Sequence, residues 1–242
     1  MWFLVSMVLI LSALTRDASA QAGDVDPDQF DRGLDLYQTH CASCHGDNGD
    51  GKGSLATGFA PRPRDFTMGV FKFRSTDIGQ NPSRDDIVKT IKDGINGSYG
   101  RTMPAFDTLS EPDLIALSEV VRVAADINAY DEPMQITDRP IEADLERGAE
   151  LYKEFGCVDC HGESGTGNGI LSETLSDNHG LPIKPSDLSV GQFKGGNEPE
   201  DIWARIYTGI AGTSMPAFGT TASHEDLWAV TEYVLSFSGQ GR

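Results

Sequence analysis

The sequence predicts an all-α chain made of two tandem copies of one small helical domain, and three observations carry that expectation. The pentapeptide Cys41-Ala42-Ser43-Cys44-His45 recurs as Cys157-Val158-Asp159-Cys160-His161, and these hold the only four cysteines in 242 residues. The segments around both pentapeptides repeat in register. Apolar residues at the start and end of each copy recur at helical spacing, and no Val/Ile-rich strand pattern surrounds either pentapeptide.

The repeat sets the organisation. Arg32-Gly33-Leu34-Asp35-Leu36-Tyr37 answers to Arg147-Gly148-Ala149-Glu150-Leu151-Tyr152. After each pentapeptide Gly46, Gly49, Gly51 and Gly53 match Gly162, Gly165, Gly167 and Gly169. Asp65-Phe66 and Phe71-Lys72 match Asp187-Leu188 and Phe193-Lys194; Asp86-Ile87 and Gly94-Ile95 match Asp201-Ile202 and Gly209-Ile210. Finally Met103-Pro104-Ala105-Phe106 recurs as Met215-Pro216-Ala217-Phe218. Each copy is on the order of 100 residues, an ordinary domain size. The expected division is domain 1 over 21–130, a linker over 131–140 interrupted by Pro133 and Pro140, and domain 2 over 141–242.

Each copy is expected to open and close on a helix. Phe30, Leu34 and Tyr37 share one helical face ahead of the first pentapeptide, and Leu145, Gly148 and Tyr152 do so ahead of the second. The closing helices start at Ser110-Glu111-Pro112-Asp113 and Ser223-His224-Glu225-Asp226, both resembling capping boxes. Leu114, Leu117 and Val121 form one apolar stripe; Leu227, Val230, Val234 and Phe237 form the other. Gly33 and Gly148 sit mid-helix at a cost of up to ~1 kcal/mol against alanine. Close approach of a crossing helix would justify them; chance glycines are the alternative. Between the end helices lie Gly- and Pro-rich segments poorly suited to building a core alone.

Cys-x-x-Cys-His reads as a c-type haem attachment site. Two thiols three positions apart can reach the two vinyl groups on one porphyrin edge, and the adjacent imidazole can reach the iron. Two sites imply two covalently attached haem c groups, on Cys41 and Cys44 with His45, and on Cys157 and Cys160 with His161. A four-cysteine zinc site would close over a short loop, whereas 112 residues separate Cys44 from Cys157. A bound porphyrin would supply the missing core, so the apoprotein is expected to be largely unfolded. The second axial ligands are expected to be Met103 and Met215, each preceded by a glycine-bearing turn and followed by proline, which stops a helix. His179, in a loop without counterpart in the first copy, is the alternative in the second; Met68 and Met134 read as core filler. His/Met ligation saturates the iron and raises its potential relative to bis-histidine, so no catalytic residue is assigned.

Residues 1–20 resemble an export signal: Trp2 to Leu14 is almost wholly apolar and Ala18-Ser19-Ala20 is a small-residue cleavage pattern. No Lys or Arg precedes the apolar run, so a retained anchor or a misassigned start stays open beside cleavage before Gln21. The formal net charge of −18 excludes binding nucleic acid through its phosphates. Residues 21–130 carry 17 acids and 11 bases, net −6, and residues 131–242 carry 19 and 7, net −12.

Taken together, the two Cys-x-x-Cys-His-Gly sequences, the glycines after them and the Met-Pro-Ala-Phe loops before each last helix resemble two class I cytochrome c domains in tandem, over nearly all of residues 28–238. The resemblance implies a helical fold wrapped round each haem, with one haem edge exposed. It implies a backbone carbonyl holding each histidine Nδ1 proton, with Pro61 or Pro63 and Pro182 or Pro185 as candidates. Met103 stands 58 positions after His45 and Met215 stands 54 after His161, longer than a minimal cytochrome needs. The extra length can cover a haem edge or dock a partner, and Lys72, Arg74 or Lys194 could neutralise propionates unless these are ordinary surface loops. The leading expectation is a periplasmic one-electron carrier or an electron-transfer subunit of a respiratory redox complex. Its partners would be redox proteins, basic ones suiting its acidity. The alternative is a two-haem oxidoreductase of peroxidase or thiosulfate-oxidising type, against which the matched methionine loops and the lack of a fifth cysteine stand.

Overall fold

A computed structural model describes residues 26–96 and 103–239, so the expected signal over 1–20 and the turn over 98–102 lie outside the described residues. Among the described residues the regular structure is helical, with two isolated bridges, Ile95 to Met103 and Ser176 to Pro182, in place of strands. The chain forms two compact units. The first comprises 26–70 and 107–130, the second 71–96, 103–106 and 131–239. Residues 71–96 and 103–106 of the first copy therefore pack with the second repeat copy.

In the first unit, helix α1 (Pro27–His40) starts where Asp26 accepts from the Asp28 amide at 2.9 Å and Pro27 fills the first helical position. It buries Phe30, Gly33 and Tyr37. A single turn, α2 (Ala42–His45), follows directly. Helix α4 (Glu111–Ala124), capped by the Ser110 hydroxyl, packs across α1 and buries Leu114, Leu117 and Val121 as expected. Gly33 marks the crossing: a Cβ there would overlap the Ala116 carbonyl. The close approach is real, and glycine is what permits it. Arg32 on α1 bonds Asp113 on α4 across the same contact. The α4 end is fixed by Arg122, whose Nε reaches Glu119 at 2.7 Å and whose Nη1 reaches the Ile127 carbonyl at 2.7 Å.

The second unit repeats this plan. Helix α5 (Leu145–Glu154) crosses α8 (His224–Ser236) with Gly148 against the Ala229 carbonyl, and Arg147 bonds Asp226 at 2.9 Å. Leu145, expected on the buried face, is the exposed first residue of its helix; Leu151 is buried instead. Turn α6 (Cys157–His161) follows α5. The core joins Leu151, Tyr152, Ile202, Trp203, Ile206, Leu227, Trp228 and Val230.

Two helices were not expected. The α3 helix (Arg84–Asp93) opens on a capping box between Ser83 and Asp86, and α7 (Pro199–Thr208) on one between Glu198 and Asp201. The apolar face of α3 is short, Ile87 with Ile91, and α7 adds the buried Trp203 to Ile202 and Ile206. Residues 131–140 have no regular structure yet are docked on the second unit. Trp228 Nε1 donates to the Thr137 carbonyl at 2.9 Å, Arg139 bonds the buried Glu232 at 2.7 Å, and Met134 and Ile136 pack on the core. Met134 is thus filler, as expected; Met68 is 44% exposed and is not.

Candidate haem sites

Both pentapeptides sit on a short helical turn entered from a longer helix. Cys41 closes α1, its amide bonded to the Tyr37 carbonyl at 2.8 Å, and the His45 amide bonds the Cys41 carbonyl at 2.8 Å. Cys41 at the start of the turn and Cys44 with His45 at its end thus lie within one helical turn. Gly46 and Gly162 then leave the turn at φ 82° and 78°, in the left-handed region that favours glycine.

The glycine-rich stretch folds back over that turn. Amides of Gly51, Gly53 and Leu55 donate to the carbonyls of His45, Cys44 and Ser43 at 2.8, 3.2 and 2.8 Å. Gly167, Gly169 and Leu171 do the same to His161, Cys160 and Asp159 at 2.8, 3.1 and 2.8 Å. A Cβ on Gly53 would overlap the Ser43 carbonyl, and one on Gly169 the Asp159 carbonyl, which explains the repeated glycines. The helical carbonyls left without partners at the turn's end are satisfied here. Tyr37 Oη donates to the Gly46 carbonyl at 2.8 Å and Tyr152 Oη to that of Gly162 at 2.9 Å, pinning each long helix to its turn. Burial pushes both phenols up, so they stay protonated donors.

Each histidine is oriented by a backbone carbonyl. His45 Nδ1 lies 3.0 Å from the Arg64 oxygen and His161 Nδ1 3.1 Å from the Ser186 oxygen. A carbonyl only accepts, so Nδ1 carries the proton and Nε2 keeps its lone pair. Burial lowers both imidazole pKa values, which favours the neutral, ligating form. The carbonyls are not those of Pro61, Pro63, Pro182 or Pro185. They belong to the residue after Pro63 and after Pro185, where the ring fixes the preceding φ and hands the acceptor to its neighbour. His45 also stacks on Phe66, with centroids 4.6 Å apart.

The four cysteines are unpaired and half-buried. Burial raises Cys41 and Cys157 to about 11, so both are thiols and not thiolates at neutral pH. Thiols free of a disulfide, an imidazole with Nε2 available and a turn stripped of side chains by glycine fit covalent haem in both copies.

The methionine loops are built alike. Gly94 and Gly209 end α3 and α7 at φ 67° and 64°, and a Cβ on either would press on the backbone at Met103 or Met215. The Ile95 amide donates to the Met103 carbonyl at 3.0 Å, and Ile210 to that of Met215 at 3.2 Å. Met215 and Cys157 both pack, half-buried, against the second unit's core. Met103 belongs to the second unit, while Cys41, Cys44 and His45 belong to the first. His179 is exposed, with its amide held by Asp177. Of the cations considered for propionates, burial lowers the pKa of Arg74 and Lys194.

Residues 28–119 and 143–234 each match the family described as cytochrome c oxidase, cbb3-type, subunit III. The chain belongs to this family. FixP of Azorhizobium caulinodans, a cbb3-type oxidase subunit, is 26% identical over 97% of this chain and 72% of its own length. CcoP of Azospirillum brasilense, also a cbb3-type oxidase subunit, is 26% identical over 86% of this chain and 61% of its own length. The chain thus spans only part of these relatives. A chain of the reducing HAO-like protein complex of Kuenenia stuttgartiensis superposes with a TM-score of 0.77 at 36% identity, over 85% of this chain and 95% of that one. As a member of this family the protein is a two-haem c-type cytochrome with class I helical domains and one haem c in each copy, suited to electron transfer. Among the described residues no helix is long and apolar enough to cross a membrane.

Proposed function

We propose that this protein is a periplasmic one-electron carrier, exported by its N-terminal segment, that serves as the electron-transfer subunit of a respiratory redox complex and has no catalytic site of its own. Cys41 and Cys44 attach one haem and Cys157 and Cys160 the other. His45 with Met103, and His161 with Met215, are the axial ligands. The division into copies at 21–130 and 141–242 with a linker over 131–140 belongs to the same reading, as repeats of sequence; in packing, 71–96 and 103–106 of the first copy join the second unit. When bound, each haem supplies a reversible one-electron couple, tuned by its axial ligands.

The protein's own residues hold that couple steady. Arg64 and Ser186 carbonyls fix the imidazole tautomers. Glycine backbones hold the attachment turns, and the Gly94 and Gly209 turns present the methionine loops. The observation carrying this reading is that both copies orient the histidine Nδ1 on a backbone carbonyl and close the methionine loop with the Ile95 or Ile210 amide on the methionine carbonyl. Two matched, saturating ligand sets suit electron transfer with little rearrangement, whereas substrate chemistry needs an open iron. The names of the relatives, subunits of cbb3-type oxidases, support the respiratory setting.

Spectra of the ferric protein titrated with cyanide and with peroxide test the proposal. Both irons should resist these ligands at concentrations that saturate an open haem. Prompt binding at one iron would favour an oxidoreductase with a labile ligand.

A further inference from the structure

We propose that residues of the second repeat copy hold the loop carrying Met103, making Arg205 and Tyr207 positioning residues for the distal ligand of the first haem. The inference rests on the reading of Met103 as that ligand.

The observation behind it is that residues 71–96 and 103–106, first-copy sequence, pack within the second unit. Helix α7 makes the ties. The Arg205 guanidinium lies over the Phe73 ring, 5.5 Å from its centroid, and Tyr207 Oη bonds Asp77 at 3.0 Å. Arg205 is only 8% exposed, and its Nη1 has no hydrogen-bond partner, so the Phe73 face and the Asp201 carbonyl hold it. Gly195 makes room: a Cβ there would stand 2.6 Å from the Phe73 ring. The linker adds two ties, since the Asn81 amide bonds Asp131 at 2.6 Å and the Met134 amide bonds the Ser75 carbonyl at 2.8 Å.

From these anchors the path to Met103 is short and made of hydrogen bonds. The Ser75 amide donates to Asp86, which also closes the Ser83 capping box that starts α3. The α3 helix ends at Gly94, and Ile95 then bridges Met103 by backbone bonds in both directions. The Phe106 amide closes the loop onto the Ile91 carbonyl at 3.2 Å. None of these bonds requires a first-unit residue.

Arg205 also lacks a counterpart. In the register that pairs Asp86 with Asp201 and Gly94 with Gly209, it stands opposite Thr90. In the register that pairs Phe71 with Phe193, the aromatic face at Phe73 stands opposite Gly195. The tie is therefore one-directional: α7 holds the first copy's methionine loop by side chains the repeat did not duplicate. A chain whose second copy had not assembled would leave Met103 unplaced and its iron open to ligands.

The test uses the two-haem protein and the ring-shifted Met methyl resonances of its ferrous state. Met103→Ala and Met215→Ala assign one resonance each. Tyr207→Phe, Phe73→Leu and their double variant are then compared with the parent. The expected result is a weakened Met103 resonance, and cyanide binding to the first ferric iron that is about tenfold tighter in the double variant, with the Met215 resonance kept. Tyr207→Phe alone preserves the ring and guards against gross misfolding; it should give a smaller change of the same sign. An unchanged Met103 resonance and unchanged cyanide affinity overturn the positioning role. If Met103→Ala removes no resonance, the ligand assignment fails, and the inference falls with it.

Discussion

Gly148→Ala puts the helix-crossing argument at risk more sharply than any polar substitution. A methyl at this position would overlap the Ala229 carbonyl and stand 2.7 Å from Tyr233 Cβ and 3.0 Å from the Ala229 carbonyl carbon. Carbon atoms in contact prefer about 3.5–4.0 Å, so α5 and α8 must part by roughly 1 Å along their crossing. The obstruction is mostly backbone, which no rotamer change relieves. Overpacking of this kind costs about 1–3 kcal/mol, and the upper part of that range applies here. Alanine's better helix propensity returns ~0.8–1.0 kcal/mol, leaving about 2 kcal/mol of net loss. For a unit of roughly 140 residues each kcal/mol moves Tm by about 3–4 °C, so the second unit should melt about 6–8 °C earlier. Gly33→Ala should do the same to the first unit, where the added methyl would meet the Ala116 carbonyl and Val120. Gly58→Ala is the control, since no atom lies within 4 Å of its added methyl, and it should stay within about 0.5 kcal/mol of the parent. Thermal unfolding of the holoprotein followed by far-UV circular dichroism reads all three. A Gly148→Ala protein as stable as the parent would refute the claim that glycine is there for the crossing.

Other outcomes follow from the same contacts. Met103→Ala and Met215→Ala should each lower one haem potential and remove about half of the methionine-to-ferric charge-transfer band; if His179→Ala and not Met215→Ala changes the second haem, that assignment is wrong. Asp113 is held down to about 2, chiefly by its bond from Arg32 and next by Ser110. A depressed carboxylate contributes stability above its unfolded pKa of about 3.9 and loses it as pH falls through the folded value. The stability gap between parent and Asp113→Asn should therefore be flat above about pH 5 and close toward pH 2; a gap that persists at pH 2 counts against it. Electron-transfer rates with a basic redox protein should fall steeply between about 0.01 and 0.1 M salt, as the Debye length drops from ~30 to ~10 Å. Asp159 and Glu163 are exposed, whereas Asp50 lies 3.6 Å from Lys52, so neutralising the first pair should flatten the salt slope more than neutralising Asp47 and Asp50. Equal slopes for both pairs would leave these charges a solubility role alone.

Helices α1, α4, α5 and α8 were legible from local apolar spacing, which the Ser110 and Ser223 caps reinforced for α4 and α8. The α3 and α7 helices were hidden by their setting: ten residues each, two core isoleucines, and Gly- and Pro-bearing segments on both sides. Ser83 with Asp86 was the cue that could have revealed the first of them. The attachment turns and methionine loops were readable as duplicated motifs. The carbonyl partners were not, because loops arriving 19 and 25 residues later supply Arg64 and Ser186, a spacing that differs between copies. Nor does any local pattern indicate that 71–96 and 103–106 pack with the second copy, since Phe73, Asp77, Arg205 and Tyr207 look like ordinary surface residues in sequence.

Coulometric titration of the holoprotein, followed optically with and without cyanide, tests the central claim most directly. The expected result is two electrons taken up per chain in one-electron steps, with the methionine band present in the ferric state and the titration unchanged by cyanide. One electron per chain, or a cyanide-dependent step at either haem, would contradict a carrier with two saturated irons.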